Sequence, residues 1–257
     1  MRTMTLLVPT RLDLTDDALI DLRDTVLERC GLRLSPVRLA SAALLPEILE
    51  RVPDAVAWAS SATAFALGRV QLASPLVIVS CEDGPRPRTS VLLAHPNVES
   101  LVDLAGRRAG WVSRFSVTGY HLPKLYLESF GVEVETLFRK QRFCGSHDAA
   151  IDALALGEVD AIATDSRRLE GVLARAPVRV LASVGPVPAD VVVAGPAVPA
   201  ELRAKLARGL ESLRTGSISF QSMREGHFDL FEILGRHASE LRCERPRAPS
   251  ARTIEVH

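Results

Sequence analysis

Two segments constrain the fold more than any other feature of this chain: residues 110–120, GWVSRFSVTGY, and residues 145–166, GSHDAAIDALALGEVDAIATDS. Each reads as a strand end that opens at once onto a helix N-terminus rich in hydroxyls. In the first, Gly110, Trp111 and Val112 close an apolar run, Ser113, Ser116 and Thr118 supply small polar groups, and a helix follows Gly119. In the second, Phe143 ends a strand, Ser146 stands in N-cap position, and Ala149, Ala150, Ile151, Ala153 and Leu154 recur at helical spacing. N–H groups without intrahelical partners and a positive dipole end make such turns seats for anions. Ser and Thr also serve there as plain caps. Two such turns facing one cleft point to a small anionic ligand.

The rest of the chain alternates in the same manner. Strand patterns at 4–9, 36–40, 55–59, 75–81 and 89–95 are interleaved with helix patterns at 16–30, 42–51 and 61–68. The second half continues with helices at 100–105, 120–130, 146–156 and 165–174 and strands at 108–112, 132–138, 161–164, 178–183 and 191–194. Helices at 200–213 and 228–241 close the series. Alternation of this kind predicts an α/β fold of mostly parallel sheets flanked by helices. An internal echo, VPDAVAWASSATAFALGRV from Val52 and EVDAIATDSRRLEGVLARA from Glu158, places an acid, a short strand and a Ser-containing helix start in both halves.

Composition removes several classes of function. Lys plus Arg and Asp plus Glu balance at 31 each and aromatics are only 5% of 257 residues, so no basic field points to nucleic acid. The apolar stretch 178–202 is broken by Pro186, Pro188, Asp190, Pro196 and Pro199, which argues against a membrane span. Asp13, Asp16 and Asp17 follow the first apolar run too closely for a signal peptide. The sequence as it stands therefore reads as cytoplasmic, or as extracytoplasmic if a signal segment was removed. Cys30, Cys81, Cys144 and Cys243 form no C-x-x-C pair, and no cofactor or metal is expected. A catalytic Cys144–His147 pair is disfavoured, because three residues across a turn separate them and no orienting acid is evident.

The wording of the middle of the chain resembles the phosphate/phosphite/phosphonate-type substrate-binding proteins of ABC transporters, which have the two-lobed type 2 periplasmic-binding-protein fold. LVDLAGRRAGWV at 101–112, SVTGY at 116–120, CGSHDAAIDALALGEVDAIATDS at 144–166 and VPAELRAKLARGL at 198–210 carry the likeness. LLVPT at 6–10 and DAVAWASSA at 54–62 extend it toward the N-terminus. The resemblance implies lobe I at 1–95 plus 190–257, lobe II at 96–189, crossovers within 89–95 and 183–194, and a ligand cleft between the lobes. The Pro- and Arg-rich tail, 243–257, reads as flexible.

Carried over residue by residue, the family's oxyanion contacts fall on Ser116, Val117 and Thr118, with Gly119 and Tyr120 beside them; Val117 removes a hydroxyl from the family pattern. His147 and Asp165 match ligand-binding or neighbouring positions, Trp58 stands where it could wall the cleft or fill the core, and Arg88 and Arg114 are added cations. Guanidinium forks suit carboxylates as well as phosphates. The resemblance implies a solute-binding protein that captures a small oxyanion, with an ABC permease as partner. An enzymatic alternative stays open: cytoplasmic enzymes of menaquinone and thiamine-pyrimidine biosynthesis share the fold, and His147 would then act as base. A cytoplasmic ligand sensor is the third reading.

Overall fold

The computed structural model describes residues 2–9, 15–40, 42–81, 88–211, 213–215 and 218–232. Its twelve described strands form two sheets. In the first, β1 (Arg2–Pro9) lies between β2 (Leu32–Leu39) and β3 (Val56–Ala59), parallel to both. Next to β3 comes β10 (Asp190–Ala194), then β4 (Ser74–Cys81), β12 (Ile218–Ser222) and β11 (Arg214–Thr215), each antiparallel to its neighbour. The second sheet runs β7 (Lys140–Phe143), β6 (Arg108–Trp111), β8 (Ala161–Asp165), β5 (Ser90–Ala94), β9 (Arg179–Val184). β6 is parallel to β7 and β8, whereas β5 is antiparallel to β8 and β9.

The α/β architecture with two sheets agrees with the sequence reading, but the sheets are mixed rather than mostly parallel. The reason lies in the crossings. β5 of the second sheet follows β4 of the first in the chain, and β10 of the first follows β9 of the second, with no described helix in either connection, so neither pairs through a βαβ unit that would force parallel pairing. β5 hydrogen-bonds on both sides within the second sheet, so strand 90–94 does not sit in the first lobe as expected; the chain crosses before Ser90 and returns between Val184 and Asp190.

Local rules explain the elements that position the site. In α1 (Asp16–Cys30) the Thr15 hydroxyl accepts from the Ala18 N–H at 3.2 Å, Asp16 and Asp17 complement the dipole, and Gly31 ends the helix at φ 61°. Its Leu19, Leu22, Val26 and Cys30 bury one face in the core that also holds Trp58 and Phe220. α2 (Leu45–Arg51) and α3 (Ser61–Arg69) cover the other face of that sheet. The segment expected as strand 132–138 forms instead a short helix, α5 (Val134–Leu137), before β7. Val134 and Phe138 are buried four residues apart, a helical spacing, while β7 is an edge strand whose end at Phe143 was expected but whose other residues, Lys140, Gln141 and Arg142, carry no apolar alternation. Expected helix 165–174 is a 3₁₀ turn, Ser166–Arg168, followed by α7 (Leu169–Leu173). Strands β11 and β12 were not expected; the tail beyond residue 232, with most of expected helix 228–241, lies outside the described residues.

Candidate functional site

The turn after β6 is built around a glycine. The Ser116 hydroxyl accepts from the Gly119 N–H at 2.9 Å, and the His121 N–H donates to the Ser116 carbonyl at 3.0 Å, five residues back. Residues Val117–His121 therefore form a π turn that runs into α4 (Leu122–Glu128), where a plain α-helix from 120 was expected. A Cβ on Gly119 would lie 2.2 Å from Val112 Cγ2 and 2.8 Å from Ser116 Oγ, so only glycine allows the chain to pass this close. Thr118 is buried, and its carbonyl accepts from the Ser90 hydroxyl at 2.6 Å. Tyr120 is also buried, edge-on to Trp111 and Phe143, and packs against the sheet.

Across the lobes stands the start of α3. The Ser60 hydroxyl accepts from the Thr63 N–H at 3.3 Å and reaches the Phe115 carbonyl at 3.4 Å, joining the first lobe to the second. Ser61 Oγ lies 3.5 Å from the Pro188 carbonyl on the returning crossover. Ala62 and Phe65 of α3 meet Val117, Leu122 and Phe231 in one buried cluster between the sheets. Trp58 is not on this face: it is core, its Nε1–H donating to Asp190 Oδ2 at 2.9 Å and its ring edge-on to Phe220.

A charged cluster adjoins the π turn. Asp165, at the end of β8, pairs in register with Ser90, whose hydroxyl already holds Thr118. Asp165 Oδ2 accepts from Arg88 Nε at 2.5 Å and Arg167 Nη2 at 3.2 Å; Oδ1 accepts from Arg167 Nε at 3.0 Å and its backbone N–H at 3.1 Å. The Asp165 side chain is 4% exposed, those of Arg88 and Arg167 26% and 29%. Burial works against its charge, yet the two guanidiniums hold the carboxyl below the ordinary carboxylate range. Asp165 therefore does not stand ready to accept from a ligand, as expected of it, because four donors saturate its two oxygens.

His147 opens α6 (His147–Ala155) behind its cap Ser146, and its Nδ1 lies 2.9 Å from the buried Thr164 hydroxyl. Burial and, secondarily, Arg168 push its pKa down to about 4, so it is neutral at pH 7. Cys144 is half-buried among apolar neighbours, and the side-chain partner of His147 is Thr164. Arg114 is exposed, its guanidinium 4.8 Å from the centre of the Phe143 ring. The two crossovers touch: the Val187 N–H donates to the Arg88 carbonyl at 2.9 Å, and a Cβ on Gly185 would lie 2.8 Å from Thr89 Cγ2.

Ser116, Thr118, Gly119, His147, Asp165 and Arg88 thus gather on the second sheet's side, whereas Trp58 and Tyr120 are packing residues. Sequence reasoning missed Ser60, Ser61, Ser90, Thr164 and Arg167. The pair Ser60–Ser61 was visible as a hydroxylated helix start; Ser90 and Thr164 carry no local signal, since only strand pairing brings them in.

Two α/β lobes joined by adjacent crossovers, with helix starts and charged groups on facing ends, form the two-lobed binding-protein fold. The family model for the periplasmic substrate-binding protein of phosphonate ABC transporters matches residues 54–238, and the chain belongs to that family. A Xanthomonas citri protein solved with ATP superposes with a TM-score of 0.73 at 16% identity, covering 93% of this chain and 98% of its own. The binding component of a phosphonate ABC transporter from Pseudomonas aeruginosa gives 0.69 at 16%, covering 91% and 84%. PhnD1 from Prochlorococcus marinus in complex with methylphosphonate gives 0.68 at 18%, covering 91% and 97%. No curated protein matches the sequence. Among the described residues, no helix is long and apolar enough to cross a membrane.

Proposed function

We propose that this protein binds a small oxyanion between its lobes, outside the cytoplasm, and presents it to an ABC permease. The observation that carries this reading is the Ser116–Gly119 turn. There, the close packing of Gly119 on Val112 sets a hydroxylated helix start whose Val117 meets Ala62 and Phe65 of the other lobe, on the same sheet's side as Arg88, Arg167 and Asp165. Ser116, Thr118 and the turn's N–H groups hold the oxyanion, and neutral His147 contributes one hydrogen bond through its imidazole. Arg88 and Arg167 outweigh Asp165 by one charge, which favours an anion over a neutral solute. The methylphosphonate in PhnD1 and the ATP in the Xanthomonas protein support an anionic ligand for this chain too.

Thermal unfolding with and without methylphosphonate, phosphate, sulfonates and small carboxylates tests the reading. A ligand at about one hundred times its Kd stabilises the folded chain by about 2.7 kcal/mol. For a chain of this size that is a rise in Tm of roughly 5 to 10 °C. Ser116→Ala, Thr118→Val and His147→Ala should each remove most of that rise. Variants that keep full affinity would reduce the hydroxyls to caps and overturn the reading.

A further inference from the structure

The charged cluster says which oxyanion the cleft prefers, an inference that rests on the oxyanion reading above. Among the described residues, Asp165 is the carboxylate that hydrogen-bonds both guanidiniums, and a carboxylate has about four lone-pair sites. All four are met from within the chain: by Arg88 Nε, by the Nε and Nη2 of Arg167 and by its backbone N–H. An ammonium group on a ligand would find the Asp165 oxygens already occupied and would approach two cations. The neutral state of His147 at pH 7 leaves that balance at one net positive charge. Both guanidiniums are about one-quarter exposed, and both belong to the segments that flank Ser90, whose hydroxyl binds the Thr118 carbonyl of the π turn. Neighbouring strands are about 5 Å apart. A short ligand with one acid at the turn can therefore place a second acid beside the cluster.

We propose that Arg88 and Arg167, held by Asp165, are specificity-determining residues that make this site select a small organic acid with two acidic groups and no ammonium. The planar guanidinium fork matches a carboxylate or a second phosphoryl group, and the locked carboxylate fixes the orientation of the fork.

Three probes that differ in one substituent test this on the full chain by calorimetric titration at pH 7.5: phosphonoacetate, methylphosphonate and 2-aminoethylphosphonate. Phosphonoacetate should bind about tenfold or more tighter than methylphosphonate, the scale of one charge-assisted hydrogen bond, and 2-aminoethylphosphonate should bind more weakly than either. Arg88→Gln and Arg167→Gln should each bring the ratio of the phosphonoacetate and methylphosphonate Kd values to within about threefold of one, whatever loss of affinity the two ligands share. The wild-type ranking stands without the variants, so misfolding of either leaves the proposal exposed to test. Equal or tighter binding of 2-aminoethylphosphonate, or no advantage for phosphonoacetate while methylphosphonate binds, overturns the proposal alone. Failure of all three probes, together with phosphate, sulfonates and carboxylates, overturns the oxyanion reading and this proposal with it.

Discussion

The candidate site has two ends built by different physics. At one end, the starts of α3 and the π turn meet over Ala62, Phe65, Val117, Leu122 and Phe231, and their hydroxyls bond mainly within three residues of chain, Ser60 to Thr63 and Ser116 to Gly119. At the other end, Arg88 reaches Asp165 across 77 residues and His147 reaches Thr164 across 17. The first end is local capping pressed together by apolar burial. The second is a set of charges and buried polar groups that exists only when β5, β8 and the start of α6 are all in place. The first end should answer to changes of shape, the second to changes of charge.

Acid gives the largest separation between them. His147 has its pKa lowered from 6.5 to about 4 by burial, so between those values the unfolded chain binds more protons than the folded one. Stability from this group is complete above pH 6.5 and is lost as pH falls toward 4, by about 3 kcal/mol at most. Urea unfolding at pH 7 and pH 4.5 should show that loss, and His147→Gln should flatten it. An unchanged slope in the variant would assign the acid sensitivity to other groups.

Shape comes next. In Gly119→Ala the new methyl would have to displace Val112, and overpacking of this kind costs about 1 to 3 kcal/mol. Thermal unfolding should detect it, with oxyanion affinity falling in parallel because the turn moves. A variant of wild-type stability and affinity would show that the turn has slack which the contact distances deny. The smallest effect sharpens the comparison within the first end. Ser60→Ala and Ser116→Ala should each cost about 1 kcal/mol as lost caps, but only Ser116→Ala should also weaken ligand binding markedly. Equal losses of affinity would place the oxyanion between both helix starts rather than on the second-lobe turn.

Much of this was legible in the chain. α1 follows directly from Thr15, the acids of its first turn and Gly31, and the hydroxylated turn before α4 was visible in SVTGY. For the edge strand β7 the end at Phe143 was legible but the range was not: a polar edge has no apolar alternation to read, and the apolar spacing at 132–138, where a strand was expected, belongs to a short helix. Trp58 and Tyr120 stood in words that suggested a ligand site; their burial against Phe220 and Trp111 settled them as packing.

The sequence by itself determined what lies within a few residues: caps, strand ends, the glycine at the π turn and the family wording around them. Those features depend on neighbours along the chain, whose spacing a sequence displays. Only the tertiary structure decided the direction of β5 and β10, the place of Ser90 beside Thr118, and the saturation of Asp165 by Arg88 and Arg167. Strand direction follows from where the chain crosses between sheets. A carboxylate's availability depends on which donors, near or far in sequence, the finished sheet brings within 3 Å or so of its oxygens.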